Sequence, residues 1–268
     1  MVSEQPIQLR LDPPVATIVL NRPARHNALD RTLVKSLREA LVDMHGQRNC
    51  KALVLTGSGD TFCAGTDLHE VHAAFGAPES MARWYEDTQE FLGLIEALLR
   101  FPKPIIAAIN GPVIGSGVGL MLAADFIIAS QEASVRLPES RLGLSAGVST
   151  PLLSFRVGAS AASRMLLSAS PVNAEQALQT GLFHELVPPD FVWGRSFEVA
   201  NQCAAGARES HQMIKQMINE TIGESLLTQL SIGAANMAAA RTTDAAREGV
   251  SAFLEKREPD WDQVRPEG

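Results

Sequence analysis

Residues 105–129 read IIAAINGPVIGSGVGLMLAADFIIA. The run is apolar and longer than the ~20 residues needed to cross a bilayer. However, Asn110, Pro112, four glycines between 111 and 119, and Asp125 interrupt it. The breaks divide it into a strand over 105–109, a loop, a short helix and a second strand over 126–129, so no membrane span is expected. A glycine-bearing turn between a buried strand and a helix belongs to an α/β layer, and the sequence on either side repeats the alternation. Val15 to Leu20 forms a β-branched run stopped by Asn21-Arg22-Pro23. Leu33, Leu37, Leu41 and Met44 recur at helical spacing behind an Asp30 cap. Residues 52–56 read as a buried strand ended by Gly57-Ser58-Gly59-Asp60, and a helix fills 80–99 before Pro102 and Pro104. Beyond about Ser160 strand signals nearly vanish, and 173–180, 191–205, 207–220 and 242–255 read as helices. The expectation is an α/β core followed by a helical tail, with no internal repeat.

The chain has 268 residues, enough for one large domain or one domain and an appendage. Apolar residues make up 46% and charged ones 20%, which excludes a long disordered charged tail. Acidic side chains number 30 against 23 basic, a net charge of −7, and no Lys/Arg cluster offsets it, so a nucleic-acid partner is not expected. Cys50, Cys63 and Cys203 are odd in number and widely spaced, which fits neither a disulfide framework nor a metal site and suits a reducing compartment. The first residues have no basic-then-apolar leader pattern, and Glu4 and Asp12 disfavour a transit peptide. These features lead to the expectation of a soluble, cytoplasmic protein without a metal.

Two turns follow buried strands: Phe62-Cys63-Ala64-Gly65-Thr66-Asp67-Leu68, and Asn110 to Leu120 with Gly111, Gly115, Gly117 and Gly119. Backbone N–H groups at such turns and at a helix start lack internal partners, so two converging on one point would form an oxyanion hole. Alternatively, the glycines serve only positive φ and close packing. The second turn is not a dinucleotide fingerprint, because G-x-G-x-x-G requires glycine where Leu120 stands, and no P-loop is present. Gly143-Leu144-Ser145-Ala146-Gly147 is a literal G-x-S-x-G, with Asp190 and His211 following in serine-hydrolase order. The elbow requires a strand before the serine and a helix directly after it, whereas Pro138 precedes and Pro151 follows. Glu139, behind Val135-Arg136-Leu137-Pro138, stands where desolvation would raise a carboxyl pKa toward the range of proton transfer. The competing reading is a surface glutamate paired with Arg136 or Arg141.

In order along the chain, these pieces resemble the crotonase (enoyl-CoA hydratase/isomerase) superfamily. Leu20-Asn21-Arg22-Pro23 with Asn27-Ala28-Leu29 is similar to its N-R-P…N-A-L signature, and 62–68 to F-x-A-G-x-D-[IL]. Lys103-Pro104 through Asn110-Gly111, Gly115-Ser116-Gly117 and Ala124-Asp125 is similar to its central motif, and Pro138-Glu139 to its P-E pair. Ala174 to Pro188 and Glu248 to Arg257 resemble its C-terminal stretches. The resemblance implies a spiral of ββα turns over residues 1–200 and a helical oligomerisation region over 201–268 in one structural unit, assembling as a homotrimer or homohexamer. It implies an acyl-CoA thioester substrate, with coenzyme A present only as part of that substrate and no other cofactor. It also implies an enolate held by the amides of Thr66 and Ser116, and contacts to the coenzyme from Arg25, Ala64, Gly65, Asp67, Leu68, Gly115 and Lys256. His69 stands where hydratases often carry a lysine.

The departures from the family pattern bear on the reaction. Hydratases use two glutamates; Glu139 matches the second, while the first should stand where this chain has Gly119. Dienoyl-CoA isomerases add an aspartate where Gly147 stands. A single carboxylate suffices to carry a proton between two carbons, so the expected reaction is double-bond isomerisation by Glu139. The alternatives are a hydratase, lyase, decarboxylase or thioesterase of the family, a catalytically impaired acyl-CoA binder or scaffold, and, most remotely, the serine hydrolase. Tyr85 is the one tyrosine available to a mechanism needing such an acid.

Overall fold

The computed structural model describes residues 5–222, 224–261 and 264. β1 (Ile7–Asp12) and β2 (Val15–Leu20) form an antiparallel hairpin at one edge of the larger sheet. After a short helical turn at Pro23–Arg25 comes α1 (Arg31–Gly46), where Asp30 accepts a hydrogen bond from the Leu33 amide at 2.7 Å, the expected cap. β3 (Ala52–Gly57), α2 (Leu68–Ala73) and α3 (Ser80–Leu99) follow. Next come β4 (Ile105–Ile109), β5 (Val113–Ile114), α4 (Ser116–Leu122), β6 (Phe126–Ser130) and β7 (Ser134–Arg136). The rest comprises α5 (Ser149–Ser168), β8 (Val172–Asn173), α6 (Ala174–Gln179), β9 (Glu185–Val187), α7 (Val192–Ala204), α8 (Arg208–Gln216), α9 (Glu224–Ala240) and α10 (Asp244–Glu255).

The larger sheet runs β1-β2-β3-β4-β6-β9, parallel from β2 onward. A smaller sheet, β5-β7-β8, is extended by the bridge between Cys63 and Val113. Each turn of the chain thus gives one long strand to the large sheet, one short stretch to the small sheet, and then helix. Long strand β3 with Cys63, β4 with β5, and β6 with β7 are three such turns, and this is the ββα spiral. Strands β2 and β4 are buried along their whole length, as a parallel sheet covered on both faces requires. α1 presents Leu33, Val34, Leu37, Leu41 and Met44 to the main core, while α7 places Val192, Ala200 and Ala204 over the opposite face.

Two expectations need correction. The large sheet ends in β9, although strand signals fade after residue 160; its three residues are too few to show a period. The helix expected over 207–220 is α8, which passes at Met217–Ile222 into a π-helical turn. Residue 200 lies within α7, and Leu226, Leu230, Ala234 and Met237 of α9 belong to the same core as the spiral. Among the described residues no helix is long and apolar enough to cross a membrane.

Candidate active site

The N-terminal motif braces the first turn. Asn27 is fully buried; its amide donates to the Ser58 carbonyl at 2.9 Å and the Thr61 carbonyl at 2.8 Å, and its oxygen accepts from the Arg22 amide. Arg22 reaches Asp30 at 2.9 Å and Asp67 at 3.2 Å. The Leu29 amide donates to the Gly65 carbonyl at 2.7 Å, and the Asp67 amide to the Leu29 carbonyl at 3.0 Å. In this parallel bridge Leu29 uses the residues on either side of Thr66, so the amide of Thr66 itself points to the other side.

The second turn meets the first directly. Gly65 has φ +83°, and a Cβ there would lie 2.7 Å from the Ile114 carbonyl oxygen and 3.0 Å from the Ser116 nitrogen. Gly115 has φ +56°, and a Cβ there would come 3.1 Å from Glu139 Oε1. Glycine at both positions therefore allows the two turns and the carboxyl group to touch. Ser116 begins α4, so its N–H has no partner inside the helix. The Thr66 and Ser116 hydroxyls are 2.8 Å apart, which places the two residues side by side. Two free amides at such a junction can hold a developing oxyanion.

Glu139 opens a short helical turn, Glu139–Leu142, closed by Gly143 in the left-handed region. Its side chain is buried, and Oε2 has no hydrogen-bond partner among the described residues. Burial pushes its pKa up to about 7, so it can both take and return a proton near neutral pH. Glu139 pairs with neither Arg136 nor Arg141, which donate instead to the carbonyls of Ala169 and Ser168.

A cavity of about 920 Å³ opens over this group, lined by Ala64, Thr66, Leu68, Gly115, Ser116 and Glu139 among others. Gly65 is not part of that lining and instead makes the contact between the two turns. Asp67 is placed differently from expectation: it caps α2 through the His69 amide and binds Arg22, and so holds the turn from behind. Arg25 is exposed outside the cavity; its neighbour His26 lines the wall, with its ring 3.2 Å from Thr61 Oγ1. Lys256 caps α10 in the left-handed region and is exposed, while the adjacent Arg257 lines the cavity and binds Glu248 at 2.6 Å. Sequence reasoning missed His26, Met237 and Arg241 in the wall, since nothing local marks them.

The structure also bears on the departures. A Cβ at Gly119 would face Ser149 Oγ at 3.0 Å and the Phe91 ring at 3.5 Å, so that position is backed by a hydroxyl and a phenyl ring. At Gly147 a Cβ would meet the Gly233 carbonyl oxygen at 1.9 Å, so packing against α9 closes this position to any side chain. Ser145 lines the cavity but follows a helical turn and Gly143, not a strand, and neither Asp190 nor His211 lines the same cavity. Tyr85 is exposed on α3.

Comparison with known proteins decides the family. The enoyl-CoA hydratase/isomerase family model matches residues 12–265. The chain belongs to the enoyl-CoA hydratase/isomerase family. It is 34% identical over 248 residues to 2,3-dehydroadipyl-CoA hydratase of Escherichia coli K12, covering 92% of this chain and 94% of that protein. It is 33% identical over 253 residues to 1,2-epoxyphenylacetyl-CoA isomerase of the same organism, with 92% and 94% covered. A solved enoyl-CoA hydratase/isomerase from Pseudoalteromonas atlantica T6c superposes with a TM-score of 0.82 at 31% identity, covering 96% of this chain and 99% of that one. A relative named a hydratase and one named an isomerase are thus about equally similar to this chain, and the family alone does not choose between the two activities.

Proposed function

We propose that this family member is a double-bond isomerase acting on an acyl-CoA thioester, with Glu139 as its single proton shuttle. The observation that carries the reading is one buried carboxyl with a pKa near 7 beside two free amides, while Gly119 offers no second carboxylate. The Glu139 carboxylate takes a proton from Cα of a 3-enoyl thioester. The electron pair passes to the thioester oxygen, which the Thr66 and Ser116 amides hold as the enolate oxygen. The electrons then return, the double bond forms between Cα and Cβ, and Cγ receives the proton from Glu139. Water takes no part, so one acid/base group is sufficient. Ala64, Leu68 and Gly115 form the floor under the thioester, with Arg25 and Lys256 as cations for the coenzyme phosphates.

Turnover of 3-enoyl-CoA and 2-enoyl-CoA esters side by side tests the reaction. Isomerisation should far exceed hydration; the reverse order would establish a hydratase that works without the first glutamate. Deuterium wash-in at Cα of a saturated acyl-CoA reports the enolate directly, and its absence with tight binding would establish a binder. We also propose a homotrimer or homohexamer. Met213, Ile214, Met217 and Ile218 stand exposed together along α8 and its π-helical turn, which suits burial between subunits. Light scattering showing a 28.8 kDa particle would refute this.

A further inference from the structure

The cavity over Glu139 does not end at the oxyanion turns. Thr66, Met237 and Arg241 line it and also line a second cavity of about 1040 Å³. These three residues mark the junction of the two spaces. Beyond it the second wall carries apolar Leu29, Val34, Val71 and Phe91 but also many charged side chains, Glu70, Asp87 and Glu90 among them, and Arg241 is a cation at the edge of the first cavity. Arg241 therefore borders the same cavity as the Thr66 amide on which the thioester oxygen would rest, so the tail of a chain held there can meet its guanidinium.

At that junction sits an unmatched charge. Arg241 is 6% exposed, just beyond the end of α9 and one turn after Met237. Among the described residues, no carboxylate lies within ion-pair distance of its guanidinium and no acceptor takes its N–H groups. Asp87 contributes a long-range attraction, but its carboxylate is taken by Arg31, and Glu90 on the same wall is taken by Arg38. An arginine keeps its charge even when buried. Buried charges are normally paired, because desolvation is costly without a partner. Arg241 has five donors, a junction position and no partner among the described residues.

We propose that Arg241 recognises a carboxylate at the far end of the acyl chain, so that the substrate is the CoA thioester of a dicarboxylic acid. The proposal rests on the acyl-CoA reading above and adds the chemistry of the tail. A guanidinium fits a carboxylate with two parallel hydrogen bonds, and the buried setting strengthens them. A methyl-ended chain would leave the charge dry and unpaired, which discriminates against it.

The test is calorimetric binding of adipoyl-CoA, hexanoyl-CoA and free CoA to the whole chain at neutral pH. The two esters have six-carbon saturated chains and differ in ending in a carboxylate or a methyl group. Adipoyl-CoA should bind at least about tenfold tighter, the scale of a charged hydrogen-bonded pair. Arg241→Met should bring that ratio close to one, and Arg241→Lys should restore part of it. Equal binding of the two esters to the natural chain would overturn the proposal while leaving the acyl-CoA reading intact. Failure of both esters to bind would overturn both. If Arg241→Met weakens free CoA as much as adipoyl-CoA, the cation serves a coenzyme phosphate and the proposal falls. Should that variant not fold, the ratio measured on the natural chain decides.

Discussion

The two ends of the cavity are built by different means. At the Glu139 end the donors are backbone amides, fixed by Gly65, Gly115 and the start of α4, and braced from behind by Asn27, Arg22 and Asp67. At the other end the wall is made of side chains, Met237 and Arg241, delivered by a helix more than a hundred residues further along the chain. Backbone donors can be positioned only by turn chemistry, which leaves short, local residue patterns. Side-chain donors need only a packed helix behind them, which leaves no local pattern. The chemical end is therefore constrained in sequence, while the tail end is free to differ without disturbing it.

The largest break in that comparison is Glu139→Gln. The variant keeps the shape and the amides but cannot accept a proton, so kcat should fall by about 10²–10⁴-fold. Affinity for the thioester, resting on the turns, should change little, and steady-state kcat and KM measured separately would show the split. Undiminished turnover and Cα exchange in this variant would exclude Glu139 as the shuttle.

Ser116→Pro is the next break. Proline suits the first position of a helix, so α4 should survive, but the N–H is gone. Loss of one oxyanion donor costs about 2.7–4 kcal/mol, or roughly 10²–10³-fold in kcat. Ser116→Ala removes only the hydroxyl contact with Thr66 and should lose far less. Similar losses in the two variants, with circular dichroism unchanged, would show that the hydroxyl and not the amide matters.

The pH dependence sharpens the same end. With the carboxyl raised from 4.5 to about 7 by burial, kcat/KM should rise with pH through about 7 as the base form appears. Stability should move the opposite way. The neutral acid is favoured in the folded chain, so that contribution is complete below pH 4.5 and is lost as pH rises through about 7. At 1.36 kcal/mol per unit the swing is about 3 kcal/mol, and Glu139→Gln should abolish it. Urea denaturation at pH 4.5 and pH 8.5 for both chains would measure it. Equal pH slopes in the two would assign the swing to other groups.

What the sequence made legible follows the same division. Strands β2, β3, β4 and β6 of the large sheet, the Asp30 cap, both turns and Glu139 could be read, because β-branched runs, glycine spacing and capping are local, whereas the exposed edge strand β1 was not read. β5, β7, β8 and β9 have two or three residues each, too few for alternation to register. α5 was not readable as one helix because Gly158 sits inside it at φ 78°, ψ 158°. α9 lacks a one-sided stripe because it packs between α3 and α5, so its pattern carries no face. Arg241 follows from that hidden helix, and nothing near it in sequence marks a buried cation. Asp67, read as a coenzyme contact, is a brace, since the motif that contains it serves the turn as well as the site.

The smallest expected effect is at Ser145, which lies in the wall of the cavity without the arrangement that would make it a nucleophile. An activated serine needs a general base within hydrogen-bond reach and a turn that thrusts its oxygen outward. Here a helical turn ending at Gly143 precedes it, and α5 begins only at Ser149. Asp190 sits in the turn Pro189–Phe191 and His211 on α8, both outside the lining of the cavity. A fluorophosphonate probe should leave the protein unlabelled, and Ser145→Ala should change kcat by less than about threefold, as expected for a wall hydroxyl outside the reacting group. Stoichiometric labelling that disappears in Ser145→Ala would instead place acyl transfer at this serine. The free amides of Thr66 and Ser116 would then serve a tetrahedral intermediate, since an oxyanion hole can stabilise either an enolate or an acyl-transfer intermediate.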